Sequence, residues 1–508
     1  MTASTTAEPN AAPTLDEVAA IAQGPGGYRR VPIRRELMGD AFTPVEAMRR
    51  VRAHSNHCFL FESAESDRRW GRYSFLGFAP TAEVTCLNGQ LTVTRDVESP
   101  CPQVQRRLVD HPGDALRELL AANASPQLPG FPPFTGGLVG YFAYDYLKYA
   151  EPVLRREGMA REDFLDVDLM LFDHLIAFDS YRQKVVLVAS VDVTAPDLVA
   201  AYDAAVAQLD QMQAILTSSE RYDFAPLHLE RDLAPVYDQE RYEQMVRTAQ
   251  RHIHEGDIFQ VVLSDPICAP ATGSLFDTYR QLRCTNPSPY MAFISSDNVE
   301  VAAASPETLA KLENGRLYTY PLAGTRPRGA TPEEDAALER DLLADEKELA
   351  EHNMLVDLGR NDIGRVARLG SVSVESHHDV LRFSHVMHIG STVAGELAPG
   401  KDAVDVIDSI LPAGTLSGAP KIRACQIIAE LEGAKRGIYG GAIGYLDFSG
   451  NLDTCIGIRL AYKKNGEVCV QSGAGIVADS VPAREFAECQ NKARAVVEAV
   501  RASEGGLN

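Results

Sequence analysis

The sequence predicts an α+β protein, a mixed α/β fold with large, mainly antiparallel sheets flanked by helices. Short runs with apolar residues at alternate positions recur along the chain, as in AEVTCLNGQLTVTRDV (82–97) and KVVLVASVDV (184–193). These runs outnumber the spacings that a succession of parallel βαβ units would need. From residue 239 to 500, strand-like and helical runs alternate with many glycines between them. No repeat at solenoid periods and no low-complexity tract interrupts the pattern.

The chain has 508 residues, room for two or three domain-sized units. Residues 1–28 begin MTASTTAEPNAAPT, rich in Ala, Thr and Pro, and read as a disordered tail. With no basic stretch followed by an apolar one, they make no signal peptide. Residues 29–220 form an N-terminal region with helical patterns near 43–53, 113–121 and 196–217. Its uncharged stretch 119–144 carries Pro126, Pro129, Pro132 and Pro133, which suits a buried loop entering the strand GLVGYFAYD and not a membrane span. Residues 218–237 are polar and aperiodic and read as a linker. A second region, 238–505, opens with helical spacing over 239–255 and continues into the strand-like DIFQVVLSDP.

A net charge of −21 argues against nucleic acid and anionic membranes as partners. The nine cysteines (58, 86, 101, 268, 284, 425, 455, 469 and 489) show no metal-ligand spacing and read as reduced thiols of a cytoplasmic protein.

The chemistry concentrates in the second region. In DEKELAEHNMLVDLGRND, Glu348 and Glu351 share one helical face, and Glu485 and Glu488 repeat the spacing in AREFAECQNKARAVVEAV. If the helices face one another, four carboxylates converge on a hard cation such as Mg²⁺; if not, they are two solvated acidic faces. The glycine-rich segments 432–450 and QSGAGIVADS (471–480) offer backbone N–H groups to a small anion, and neither matches a nucleotide loop. Arg459 in the apolar run IGIRLAY and Lys421 in SGAPKIRA are cationic partners for that anion, and Thr325 and Thr415 add hydroxyl donors or serve ordinary turns. His388 in RFSHVMHIGSTV is the general acid–base candidate, on the face opposite His385, or else a structural histidine.

Together these segments resemble the chorismate-binding enzymes, and among them the large subunits of anthranilate synthase. The resemblance is carried by GDIFQVVLS, NPSPYM, SPETL, PLAGTRPRG, DEKELAEHNMLVDLGRND, SHVMHI, LPAGTLSGAPK, GGAIGY, CIGIRL, SGAGIVADS and REFAECQNKA, in family order from about 239 to 500. FLFESA and GGLVGYFAYDYL match more loosely in the first half.

The resemblance implies a two-lobed fold with the active site in a cleft, and a Mg²⁺-dependent conversion of chorismate and ammonia to anthranilate and pyruvate through aminodeoxyisochorismate. It implies Glu351 and Glu488 as metal ligands, with Glu348 and Glu485 beside them. Gly473, Ala474, Gly475, Arg459 and Tyr439 would hold the substrate carboxylates, and Gly324, Thr325 and Thr415 would line the pocket. His388 would carry protons, and Lys421 would be a further acid for the 4-hydroxyl.

Gln260 stands where water-adding relatives carry a lysine base, and Ala323 where aminodeoxychorismate synthases often carry a lysine nucleophile. Both choices point to ammonia as nucleophile. Glu62 and Ser63, with Pro289, Tyr290 and Met291, would form a tryptophan-binding feedback site, or only the seam between two halves; Phe61 replaces the usual leucine there. No glutaminase cysteine motif is present, so a separate glutamine amidotransferase subunit in a hetero-oligomer would supply ammonia. The competing readings are aminodeoxychorismate, isochorismate or salicylate synthesis, and an inactive tryptophan-binding relative.

Overall fold

The structure, a computed structural model, describes residues 11–64, 71–382 and 386–507. Two large antiparallel sheets stack face to face with helices on their outer sides. Strands of the first run, in space, Arg30–Met38, Lys184–Asp192, His174–Asp179, Tyr73–Phe78, Cys58–Glu62, Tyr290–Ser295, Glu300–Ser305, Leu460–Lys464, Glu467–Ile476 and Gln260–Thr272. The second runs Leu322–Pro327, Val386–Glu396, Arg316–Thr319, Thr308–Glu313, Leu452–Ile456, Ala442–Asp447, Gly137–Phe142, Val167–Phe172, Ala82–Leu87, Gln90–Arg95 and Gln103–Leu108.

The alternation of side chains explains the layering. In Cys58–Glu62, Phe59 points into the core between the sheets, against Phe172 and Phe134. Its neighbour Leu60 points outward, into the core shared with Met48, Leu209 and Tyr279 of flanking helices. Central strands such as Val167–Phe172 are covered on both faces and are therefore apolar almost throughout.

Helices Pro44–Arg52, Gly113–Ala122, Leu198–Thr217 and Gln239–His254 fall within two residues of the ends expected from spacing. Within the expected disordered tail, however, Leu15–Ala22 is helical. Thr14 and Glu17 close a reciprocal capping box at its N-terminus, and Val18 is fully buried. The local TLDE signal prevails over the surrounding composition.

The linker 218–237 also carries structure: His228–Leu229 and Ala234–Pro235 pair with Gln260–Thr272. The two regions separated in the sequence share both sheets. Cys58–Glu62 pairs with Tyr290–Ser295, and Gly137–Phe142 pairs with Ala442–Asp447. Separate lobes would leave those strands as open edges.

The expectation of nine reduced thiols fails at one pair. Cys268 and Cys469 stand directly opposite in the ladder and are joined as a disulfide, 201 residues apart in sequence. The other seven cysteines are free. No helix among the described residues is long and apolar enough to cross a membrane.

One buried ion pair ties the layers together near the site. Arg436 is fully buried and meets Glu432 through Nε (2.8 Å) and Nη2 (2.5 Å). Its remaining bonds go to the carbonyls of Leu416 (2.7 Å) and Val262 (2.8 Å). Glu432 in turn accepts from the N–H and hydroxyl of Ser264, at 2.8 and 2.9 Å. Removing one partner strands a buried charge, so Arg436→Met is expected to lower stability by about 3–5 kcal/mol. Urea unfolding of variant and parent measures this; a loss under about 1 kcal/mol, the size of an exposed pair, would show that the pair does not hold the fold.

Candidate active site

The site forms where the chain crosses between the sheets. One crossover runs from Glu300–Ser305 through Pro306 and Glu307 to Thr308–Glu313. Another returns from Leu452–Ile456 through Arg459 to Leu460–Lys464. Three bonds stitch them together: Ser305 Oγ to the Ile456 carbonyl (2.7 Å), Ile456 N–H to the Glu307 carbonyl (3.0 Å), and Ala304 N–H to the Arg459 carbonyl (3.1 Å). Arg459 lies in the bend between strands with φ 49°, not within an apolar strand as its sequence context suggested. Burial lowers its pKa, and the nearby Glu307 carboxyl opposes that shift.

A cavity of about 510 Å³ opens at these crossovers. The first sheet contributes Gln260, Gln471, Gly473 and Gly475; the second contributes Ala323 and His388. Glu307, Thr415, Tyr439 and Arg459 come from connections, and Glu351 from the helix Glu346–Gly364. Most of the residues singled out in the sequence thus converge.

The glycines are required by close approach. A Cβ on Gly473 would stand 2.9 Å from Tyr439 Oη and 2.7 Å from the Leu263 carbonyl. On Gly475 it would stand 2.7 Å from Gln260 Nε2. Ala474 between them faces the opposite way, into the core with Val261 and Leu263, so only its main chain is available to a ligand. The adjoining strand pairs only as far as Ala461 opposite Val470, and beyond it no other strand among those described continues that side of the ladder.

His388 Nδ1 lies 2.9 Å from the Gly324 carbonyl and 3.1 Å from Thr325 Oγ1. Donation to the carbonyl makes Nε2 the basic nitrogen. Burial holds the ring's pKa below its usual value and Arg459 adds to the effect, so the imidazole is neutral. Gly324 has φ 65°, and a Cβ there would lie 3.3 Å from Glu348 Oε2. Thr325 is exposed and supports His388; it is not among the residues that line the cavity.

Glu307 escaped the sequence reading. Burial pushes its carboxyl up to about 8, against a 3.2 Å bond from the Thr415 hydroxyl and the field of Arg459. The available signal was the single acid of VAAASPETLA (301–310), flanked by small and apolar strand residues. Lys421 takes the opposite course. Its ammonium pairs with Asp362 (2.7 Å) and the Ile410 carbonyl (3.1 Å), outside the lining of the cavity, which removes it as the acid for a bound substrate.

The helices Glu346–Gly364 and Pro482–Ala502, which carry the four glutamates, lie close enough for Lys347 to act on Glu485. Only Glu351 lines the cavity, and Glu488 is exposed and paired with Lys492 at 2.8 Å. Among the described residues, no three of these carboxylates bring ligand oxygens within 4.8 Å of one another. Their chemistry still suits a hard divalent cation: burial raises the pKa of Glu348 and Glu485, and the neighbouring Glu351 and Glu488 raise it further. His385 lies outside the described residues.

A second cavity, of about 430 Å³, is lined by Glu62, Ser63, Pro289, Tyr290 and Met291 together with Phe131 and Tyr445. The seam and the pocket are one feature, since Glu62 stands opposite Met291 in the strand pairing. Glu62 is held by Arg283, at 2.9 and 2.6 Å, and by the Tyr279 hydroxyl. The Tyr290 hydroxyl donates to Asp453 at 2.8 Å and meets Thr308 at 3.0 Å.

Comparison with known proteins places this architecture. The profile described as chorismate binding enzyme matches residues 56–498. The chain belongs to that family. It is 42% identical over 497 residues to anthranilate synthase component 1 of Acetivibrio thermocellus, covering 96% of this chain and 98% of that protein. The component 1 of Mycobacterium tuberculosis (strain CDC 1551 / Oshkosh) is also 42% identical, with 94% of each chain covered. Among solved structures, anthranilate synthase component I from Streptococcus pneumoniae aligns with a TM-score of 0.72 at 38% identity, covering 85% of this chain and 93% of that one. The menaquinone-specific isochorismate synthase of Escherichia coli shares the fold at 19% identity and a TM-score of 0.67, over 96% and 98% of the two chains.

The shift at Glu307 has a consequence for stability. The unfolded chain releases this proton near 4.5 and the folded chain near 8, so the folded state holds the extra proton between those values. Its contribution is therefore fully present below about pH 4.5 and is lost as pH rises through about 8. Glu307→Gln should melt above the parent at pH 9, with the difference shrinking toward pH 5.5. Calorimetry at the two pH values tests this, and an unchanged difference would mean that Glu307 carries no raised pKa.

Proposed function

We propose that this chain is the large subunit of an anthranilate synthase, forming anthranilate and pyruvate from chorismate and ammonia at the first committed step of tryptophan biosynthesis. One observation carries the choice of nucleophile. Gln260 and Ala323 both line the cavity, and the family resemblance implies that related enzymes carry a water-activating base or a covalent lysine at these two positions. A glutamine does not take a proton from water, whereas ammonia brings its own lone pair.

Arg459, Tyr439 and the main chain around Gly473 and Gly475 hold the substrate carboxylates. Glu307, still protonated at neutral pH, donates to the departing 4-hydroxyl as ammonia bonds to C2, a role that replaces the one expected of Lys421. His388 Nε2 takes the C2 proton as the ring aromatises, and the departing enolpyruvyl group is protonated to pyruvate. Glu351 and Glu488, with Glu348 and Glu485, would hold Mg²⁺, which neutralises the ring carboxylate when bound.

Ammonia comes from a separate glutamine amidotransferase subunit, in keeping with relatives named as component 1. Tryptophan occupies the second cavity. Phe131, Met291 and Tyr445 supply apolar contact for its indole, and Ser63 with the remaining acceptor capacity of Glu62 meets its polar end.

Purified protein with chorismate, Mg²⁺ and ammonium should generate anthranilate fluorescence that EDTA abolishes and tryptophan suppresses. Chorismate consumed without that fluorescence would favour an isochorismate, salicylate or aminodeoxychorismate product. Chorismate left untouched, with tryptophan still bound, would favour the inactive relative. For the effector cavity, Glu62→Ala and Ser63→Ala should each leave kcat within about twofold while raising the half-inhibiting tryptophan concentration by about tenfold, the scale of one lost charge-assisted bond. Unchanged inhibition in both variants would move the effector elsewhere.

A further inference from the structure

The bond between Cys268 and Cys469 has charged neighbours on both sides. Arg161 reaches both sulfurs with one nitrogen, Nη2 lying 3.0 Å from Cys268 Sγ and 3.5 Å from Cys469 Sγ. Its Nη1 donates to the Tyr462 hydroxyl at 2.9 Å, a second anchor that fixes the guanidinium in place. Glu467 Oε2 lies 3.3 Å from Cys469 Sγ and 4.0 Å from Arg161 Nη2. Cys268 and Cys469 are themselves buried, at 5% and 1% exposure. Both charged side chains that touch them nevertheless reach solvent, Arg161 at 21% and Glu467 at 46%.

The sulfurs of a disulfide are uncharged, weak acceptors and poor partners for a guanidinium. Thiolates are good ones. The charge of Arg161 is therefore matched at the sulfurs only when the bond is open. Two cysteines and a carboxylate within 4.8 Å of one another are also the donor set of a soft metal ion. Here a fixed cation already stands against all three, which repels a second cation and favours thiol–disulfide chemistry.

We infer that Cys268 and Cys469 are a reversible redox site, opened and closed by exchange with low-molecular-weight thiols, with Arg161 stabilising the departing thiolate. In the reducing direction, a thiolate such as that of glutathione bonds to Cys469 Sγ and the Cys268–Cys469 bond breaks. Cys268, the nearer to Arg161, leaves as the thiolate. A second glutathione then displaces the first, leaving two protein thiols and oxidised glutathione, a transfer of two electrons and two protons. Reduction removes the covalent tie between the strands that bring Gln260, Gly473 and Gly475 to the first cavity. The exchange does not depend on which reaction that cavity carries out.

The test equilibrates the full native chain in glutathione buffers of varied composition at pH 7. Acid stops the exchange, and the thiols are alkylated in denaturant and counted by mass. Wild type should pass from seven to nine alkylated cysteines as the buffer becomes more reducing. Arg161→Met loses the cation and should need about tenfold more [GSH]²/[GSSG] for half-reduction, equivalent to about 30 mV. Glu467→Gln loses the opposing charge and should need about threefold less.

Opposite shifts mark an effect of charge, whereas a merely structural role would move both variants the same way. Shifts of one sign, or none, would overturn the inference. So would a count fixed at seven until the chain unfolds, which marks a structural crosslink, or a count of nine in every buffer. Glu467→Gln decides alone if Arg161→Met does not fold, as read by its thermal midpoint.

Discussion

Arg436 has no solvent to face, and its donors are directed to the end of the preceding helix, to a turn twenty residues back and to a strand 174 residues away. Glu432 ends the helix Lys421–Glu432, Leu416 closes the turn bearing Thr415, and Val262 lies two residues from Gln260. The guanidinium also covers the Tyr144 ring at 4.6 Å and lies 5.7 Å from that of Tyr439. Much of the cavity wall therefore hangs on one charge, and Ser264 passes its orientation on to Gln471. A buried ion pair of this kind contributes less through its Coulomb energy than through the cost of any arrangement that leaves it unpaired.

The crossovers explain why the chemistry sits where it does. Ladder bonds satisfy the backbone within each sheet, but a chain passing from one sheet to the other leaves the ladder. Glu307 and Arg459 occupy two such passages, stitched side by side. There they share a poorly solvated space, in which burial keeps the carboxyl protonated and the cation close to a partner of variable charge. A protonated carboxyl and a buried cation arise together from a single topological feature.

The two cavities are joined by the segment NPSPYM. Asn286 to Ser288 line the first, Tyr290 and Met291 the second, and Pro289 both. The Tyr290 hydroxyl reaches Thr308, the residue after Glu307. The strand pairing that places Glu62 opposite Met291 makes the second cavity a property of the join between the halves of the chain.

By itself the sequence determined the elements and the repertoire of the site. Helical spacing located Gln239–His254 and Glu346–Gly364, and glycine placement marked the strand that lines the first cavity. His388, Thr415 and Arg459 were legible because residue type and local context are properties of one segment, whereas Gln260 and Tyr439 were named only through the family resemblance. Only the tertiary structure decided that Lys421 belongs to Asp362, that Ala474 faces the core, and that Cys268 meets Cys469. It also decided that Glu307 keeps its proton and that Gln471 bonds to Ser264. Each of these depends on a partner or a burial supplied by a distant part of the chain, and spacing within one segment carries no record of what that partner will be.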